Sequence, residues 1–144
     1  MKRLIVGLLT VGLVMMVVAG CASTGGEAKG PSDAELLKKA VADWKTAGIA
    51  KNMDALIACY SDGFQHYEYG DKAGLQQFLK DALSMGYLEG VEIDETKAQT
   101  TITKDAAVVA PIAMKAAFGE AAISLNFKKE AAGWKIVSMD VEMN

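Results

Sequence analysis

Residues 121–143, AAISLNFKKEAAGWKIVSMDVEM, carry the clearest structural pattern in this 144-residue chain. Apolar side chains alternate with more polar ones over residues 121–127, which is the pattern of a strand with one buried face. Residues 131–133, Ala-Ala-Gly, predict a turn, and residues 134–143 predict the last strand. The stretch is therefore expected to form an antiparallel hairpin.

Two more strands are predicted just before this hairpin. Residues 91–102 are rich in Thr and β-branched side chains, and residues 103–105 predict a turn. Residues 106–118 are apolar on both faces and rich in Ala, which would also suit a helix. Pro111 in the middle argues against a helix, because proline lacks the amide hydrogen that a helix interior requires. Four antiparallel strands are thus expected in the second half.

Helices are predicted in the first half. Ser32 and Glu35 form a capping box at the start of the first helix, Asn52 caps a short second helix, and Asp71 caps a third. Residues 64–69 are rich in aromatic side chains and predict a short strand. Helices followed by a meander of strands are typical of an α+β domain. The apolar stripe of the third helix comprises Leu75, Phe78, Leu79, Ala82 and Leu83.

The N-terminal residues have the layout of a secretory signal. Lys2 and Arg3 precede an apolar run over residues 4–18, and small residues lead into Cys21. The run is shorter than the roughly 20 residues that a membrane-spanning helix needs. This layout resembles the signal of bacterial lipoproteins. The resemblance implies that residues 1–20 are removed and that the sulfur of Cys21 is diacylated.

A lipoprotein signal implies a location in the cell envelope, with the lipid anchor as the contact with the membrane. Ala22 after the cysteine implies the outer membrane, facing the periplasm, if the cell is Gram-negative. Residues 21–32 are then the lipidated cysteine and a small, Gly-rich tether, and residues 33–144 form one domain. Cys59 has no disulfide partner within the lipidated chain, and its apolar neighbours predict a buried thiol.

Composition argues against several functions. Without Lys2 and Arg3, 13 basic side chains remain against 18 acidic ones, a net charge of −5. An acidic chain has little long-range attraction for nucleic acid. One His and one free Cys cannot supply the usual zinc ligand sets, and the sequence contains neither a phosphate-binding loop nor a nucleophile elbow. We therefore expect no metal, no cofactor and no nucleic-acid partner.

The order of elements resembles the nuclear transport factor 2-like superfamily, which includes polyketide-cyclase (SnoaL-like) and ketosteroid-isomerase-like domains. The resemblance rests on residues 44–64, on the third helix over 71–79 and on the closing hairpin over 127–137. It implies a cone-shaped α+β fold with three N-terminal helices against a curved, mainly antiparallel sheet and a pocket in the mouth. Members of the superfamily often have a His on the final strand, where this chain has Asp140.

A candidate pocket follows from the expected strand faces. Side chains at i and i+2 share a face, so His66 and Glu68 are expected to point the same way. Asp140 shares a face with Trp134 and Ile136, and it would face the mouth if those two face the helices. His66 or Asp140 could then serve as a catalytic base. The predicted pocket residues are Trp44, Tyr60, His66, Glu68 and Asp140.

Three functions remain open from the sequence. The domain could bind a small apolar ligand or an envelope partner protein. It could be an isomerase, dehydratase or cyclase that uses His66 or Asp140 as base. It could also be a structural lipoprotein whose cone is filled by its own side chains. A homodimer through the outer face of the sheet is predicted as well, from an outward apolar face of Val137, Met139, Val141 and Met143. The alternative is that these four side chains belong to the core and that Asp140 is exposed to solvent.

Overall fold

The computed structural model describes residues 30–144, so the predicted signal peptide and the predicted lipidation site Cys21 lie outside the described residues. None of the helices in the described part is both long and apolar enough to cross a membrane. Three helices are present: α1 (Asp33–Ile49), α2 (Met53–Ala58) and α3 (Lys72–Ser84).

Each helix begins at the cap that the sequence predicts. The Glu35 amide donates to the Ser32 hydroxyl, and the Ser32 amide donates back to the Glu35 carboxylate at 2.7 Å. Asn52 caps α2 and Asp71 caps α3 in the same way, each accepting from an amide in the first turn. These bonds satisfy amide groups that have no partner within the helix. The buried stripe of α1 comprises Leu37, Val41, Trp44 and Ala47.

The strands form a small hairpin and one larger sheet. Strands β1 (Gln65–His66) and β2 (Gly70–Asp71) make the hairpin. The sheet is antiparallel and runs in the order β3–β5–β6–β7, with β4 beside the first half of β5. Its strands are β3 (Glu92–Asp94), β4 (Gln99–Thr103), β5 (Ala106–Ala116), β6 (Gly119–Glu130) and β7 (Gly133–Met143).

Two strand predictions need correction. The single strand expected over residues 91–102 is divided into β3 and β4, because the Asp94 side chain accepts the Thr96 amide at 2.9 Å and closes a turn. The strand expected over residues 64–69 ends at His66, after which the chain turns into β2. Side-chain hydrogen bonds to the local backbone interrupt both segments.

Residues 106–116 form a strand, as Pro111 predicts. The pairing of β5 with β6 shifts between Val109 and Ile112, so Pro111 lies in a β-bulge. A bulge tolerates proline because the ladder does not require an amide donor there. Val109 and Ile112 are both buried on the inner side of the sheet.

A second bulge lies in the middle of β7. Ser138 pairs with Asn126 and Ile136 pairs with Phe127, which leaves Val137 as an extra residue. An extra residue reverses the alternation of inward and outward side chains beyond it. Even-numbered side chains of β7 therefore face the core before the bulge, and odd-numbered side chains face it after the bulge.

This bulge overturns two predictions from the last strand. Trp134 and Ile136 are buried before the bulge, whereas Met139 is buried after it and Asp140 is exposed. Asp140 therefore does not share the face of Trp134 and Ile136. The outward apolar face predicted over residues 137–143 is also wrong, because Met139 belongs to the core and Met143 alone among the four residues is a large exposed hydrophobic side chain.

The hydrophobic core lies between the helices and the inner face of the sheet. The chain at the end of α2 is tied to β7, since the Ser61 amide donates to the Ile136 carbonyl at 2.8 Å and the Ile136 amide donates to the Cys59 carbonyl at 3.0 Å. Long-range contacts of this kind hold the helices against the sheet. The largest fully buried side chains are Leu37, Phe64, Leu75, Ile112, Leu125, Phe127 and Ile136.

Candidate functional site

The centre of the domain is filled by its own side chains. The Trp44 indole nitrogen donates to the Tyr60 hydroxyl at 3.0 Å, and that hydroxyl donates to the Met139 sulfur at 3.7 Å. Trp44 and Tyr60 are each 3% exposed, and the Tyr60 ring packs edge-on against Phe64 at 5.1 Å. Burial raises the pKa of Tyr60, so the phenol stays neutral. The structure brings these two predicted pocket residues together as core.

Two open clefts of the described part lie elsewhere. The cleft of about 350 Å³ lies at the end of β3, β5 and β6 and includes Glu92, Asp94, Lys115 and Glu120 among its lining residues. The cleft of about 320 Å³ is lined by residues of α2, of α3 and of the segment between these helices, Lys72 and Asp62 among them. None of the five predicted pocket residues lines either cleft.

His66 is buried and its ring nitrogens have fixed roles. The side chain is 8% exposed, and Nδ1 accepts the amides of Glu68 at 3.1 Å and Tyr69 at 3.4 Å. A neutral imidazole has one acceptor and one donor nitrogen, so these bonds place the proton on Nε2. Nε2 is buried and has no hydrogen-bond partner among the described residues. A general base accepts a proton on the lone pair of its unprotonated nitrogen. In His66 this nitrogen is Nδ1, and it is already hydrogen-bonded to two backbone amides of the hairpin.

The imidazole belongs to a stack of four aromatic rings, Tyr67, His66, Tyr69 and Phe78, which we call the aromatic stack. The His66 ring lies 4.5 Å from Tyr67 and 4.3 Å from Tyr69, at interplanar angles of 28° and 11°. Rings this close fit only on opposite faces of the imidazole. Tyr69 also stacks on Phe78 of α3 at 4.2 Å. The stack thus joins the β1–β2 hairpin to α3.

Comparisons with known proteins show the fold. No family model and no curated protein matches the sequence. A nuclear transport factor 2-like protein of unknown function from Pseudomonas putida superposes with a TM-score of 0.65 at 12% identity, over 78% of this chain and 89% of that one. The chain has the nuclear transport factor 2-like fold. The fold predicted from the sequence is confirmed.

Other structural neighbours have diverse descriptions. A candidate ketosteroid isomerase from Shewanella frigidimarina matches with a TM-score of 0.63 at 19% identity, over 77% of this chain and 98% of that chain. A candidate calcium/calmodulin-dependent protein kinase II association domain from Thiobacillus denitrificans matches with a TM-score of 0.61 at 14% identity, over 74% and 94%. Identities this low establish the fold and not the activity.

The remaining predicted site residues do not converge with His66. Glu68 is exposed in the hairpin turn, because β1 ends at His66 and the shared strand face expected for the two residues does not form. Asp140 is exposed on the side of the sheet that faces away from the core. The structure therefore does not pair His66 with Asp140. No pattern in the sequence indicates the contact between Tyr69 and Phe78 that positions the hairpin.

The Cys59 thiol and the possible metal-ligating side chains are the other reactive groups of the described residues. Cys59 is partly exposed rather than fully buried, and its thiol donates to the Ala55 carbonyl at 3.4 Å. Burial raises the pKa of the Cys59 thiol, which keeps it protonated near neutral pH. Within residues 30–144, no three His, Cys, Asp or Glu side chains are grouped as metal ligands.

Proposed function

We propose that the protein is a lipid-anchored protein of the cell envelope that acts by binding another protein molecule through its nuclear transport factor 2-like domain. The filled interior carries this proposal. Trp44, Tyr60 and Met139 occupy the centre and satisfy one another's polar atoms, which leaves a small apolar ligand no room at the predicted pocket. The signal pattern before Cys21 supports the anchoring.

The outer face of the sheet is the binding surface that we favour. This face is opposite the core, and small side chains dominate its middle. One row across four strands consists of Thr101, Val108, Asn126 and Ser138. Val108 is 41% exposed although it lies on a long strand. A face of short side chains lets a second sheet approach to about 10 Å.

The charges of this face favour a second copy of the chain as the partner. Lys128 is exposed at one end of the outer face, whereas Lys135 beside it on β7 donates from its amine to the Ala58 carbonyl at 2.7 Å. Asp94 and Glu142 lie in one row across the sheet at the other end of the face. This row crosses β6 at Ala122, about 20 Å from Lys128 along the strand. A twofold axis that lies between the two faces, perpendicular to the strands, would set the basic end of each copy against the acidic end of the other. A neighbour described as an association domain is consistent with such an assembly.

A charge swap tests the homodimer. Lys128→Glu and Glu142→Lys should each raise the dimer dissociation constant at least about tenfold, because like charges would then meet across the interface. The double variant should regain association. Lys80→Glu makes the same charge change on exposed α3 and serves as the control. Sedimentation of residues 31–144 gives the readout, and a wild-type monomer at about 50 μM would refute the proposal.

Lipidation needs a separate test. Labelling cells with a radioactive fatty acid should mark the wild-type protein, and Cys21→Ser should abolish both the label and the removal of the signal peptide. A Cys21→Ser protein that still reaches the membrane in cleaved form would contradict the anchor. The homodimer could survive that result, since its residues all lie within the described domain.

A further inference from the structure

The β1–β2 hairpin has an aromatic surface that folding does not explain. Tyr67 is 80% exposed, more than any other large hydrophobic side chain of the described residues. One face of its ring packs on His66 at 4.5 Å, so the opposite face is open to solvent. A ring this exposed contributes little hydrophobic stabilisation. Its placement at the end of a rigid stack therefore suits contact with another molecule.

The rest of the stack keeps this ring in place. His66 accepts two hairpin amides, and Tyr69 packs between His66 and Phe78 of α3. The platform is therefore preorganised and would lose little conformational entropy on binding.

The polar residues beside Tyr67 restrict the chemistry of a ligand. Gln65, two residues before Tyr67, and Glu68, the residue after it, are exposed and offer an amide and a carboxylate. Residues 61–72 contain three acidic side chains and one basic side chain, Lys72, whose amine is paired with Asp62 at 2.9 Å, so the remaining net charge of −2 disfavours an anionic ligand or an anionic lipid surface. A pyranose ring meets these conditions, because its C–H groups pack on an aromatic face while its hydroxyls bond to amides and carboxylates.

We propose that the aromatic stack, with Gln65 and Glu68, is a binding site for a neutral glycan, with one pyranose ring against the open face of Tyr67. The site rests on the proposed function in one respect only, because a location in the cell envelope would bring it near glycan strands. Binding by the purified chain requires neither lipidation nor dimerisation, so this inference and the proposed function can fail independently.

The test uses the full chain in detergent micelles whose headgroups contain no sugar. N-acetylglucosamine tetramer is titrated, and the ring resonances of Tyr67 and His66 are followed by NMR. We expect saturable shifts with a dissociation constant on the order of 1 mM, which is usual for one exposed subsite. Tyr67→Ala should weaken binding at least about tenfold, and Tyr67→Phe should retain it, because stacking requires the ring and not the hydroxyl.

Tyr87→Ala is the matched control, since Tyr87 is 50% exposed in the segment after α3 and lies outside the stack. It should bind the tetramer like the wild type. Equal binding by Tyr67→Ala and the wild type would overturn the proposal, as would the absence of shifts at Tyr67. A spin-labelled lipid that broadens the Tyr67 signals while the tetramer leaves them unchanged would assign the surface to the membrane instead and would also overturn it.

Discussion

Tyr60→Phe tests whether the centre of the domain is filled and dry. The substitution removes the hydroxyl that accepts the Trp44 indole N–H at 3.0 Å and leaves the ring in place. Trp44 is 3% exposed, so its N–H would remain buried without a partner. An orphaned buried donor costs about 1–3 kcal/mol. We expect the free energy of unfolding of residues 31–144 to fall by that amount, and the melting temperature to fall by roughly 4 °C per kcal/mol.

Urea unfolding followed by circular dichroism measures the effect. Tyr87→Phe is the control, because it removes the same hydroxyl from a half-exposed ring and should change stability by less than about 0.5 kcal/mol. Combining Tyr60→Phe with Trp44→Phe should give a coupling energy of at least about 0.5 kcal/mol, since the two side chains share one hydrogen bond.

A different result is expected if the centre is an open, wet pocket. Water would then replace the lost hydroxyl as the partner of Trp44, and Tyr60→Phe would be close to neutral. A loss of stability below about 0.5 kcal/mol, with no coupling between Trp44 and Tyr60, would refute the filled interior. It would also reopen the small apolar ligand as a candidate function.

Three further predictions concern the bulge, the first helix cap and the free thiol. Deleting Val137 should destabilise the domain by more than about 3 kcal/mol, because it turns Asp140 towards the core, whereas Val137→Ala keeps the bulge and should cost far less in the same urea assay. The pKa of Glu35 is lowered from 4.5 by hydrogen bonds from Ser32, so its contribution to stability is present above pH 4.5 and is lost as pH falls through the lower folded value. Glu35→Gln should therefore be less stable than the wild type at pH 7 and equal to it in strong acid, as measured by thermal melts; a constant difference would contradict this. Burial raises the pKa of Cys59, so alkylation by iodoacetamide at pH 8 should be slower in the folded domain than in concentrated urea, and equal rates would contradict the partial burial.

The helix caps and strand β6 could be predicted from the sequence because the interactions that form them are local. Ser32, Asn52 and Asp71 cap their helices through bonds that reach only three residues along the chain. The alternation over residues 121–127 predicts β6 because strand geometry itself has a period of two. The order of these elements indicated an α+β domain, and its resemblance to the nuclear transport factor 2-like superfamily implied the fold.

The β1–β2 hairpin could not be predicted from local sequence patterns. Residues 64–69 are rich in aromatic side chains, and the sequence predicts a strand there. The observed turn depends on His66 accepting two amides and on Tyr69 stacking against Phe78, nine residues further along the chain. The role of His66 could not be read from its neighbours, because it is set by contacts that form only when α3 packs beside the hairpin.

The last strand separates what the sequence by itself determined from what only the tertiary structure decided. Its β-propensity and its pairing with β6 follow from residues 121–143 alone. The position of the bulge at Val137 does not follow from these residues, because β-bulges have no characteristic amino-acid composition. The bulge arises where β6 and β7 must keep their pairing while both pack against one core. That single register shift moves Asp140 out of the predicted pocket and moves Met139 into the core beside Tyr60.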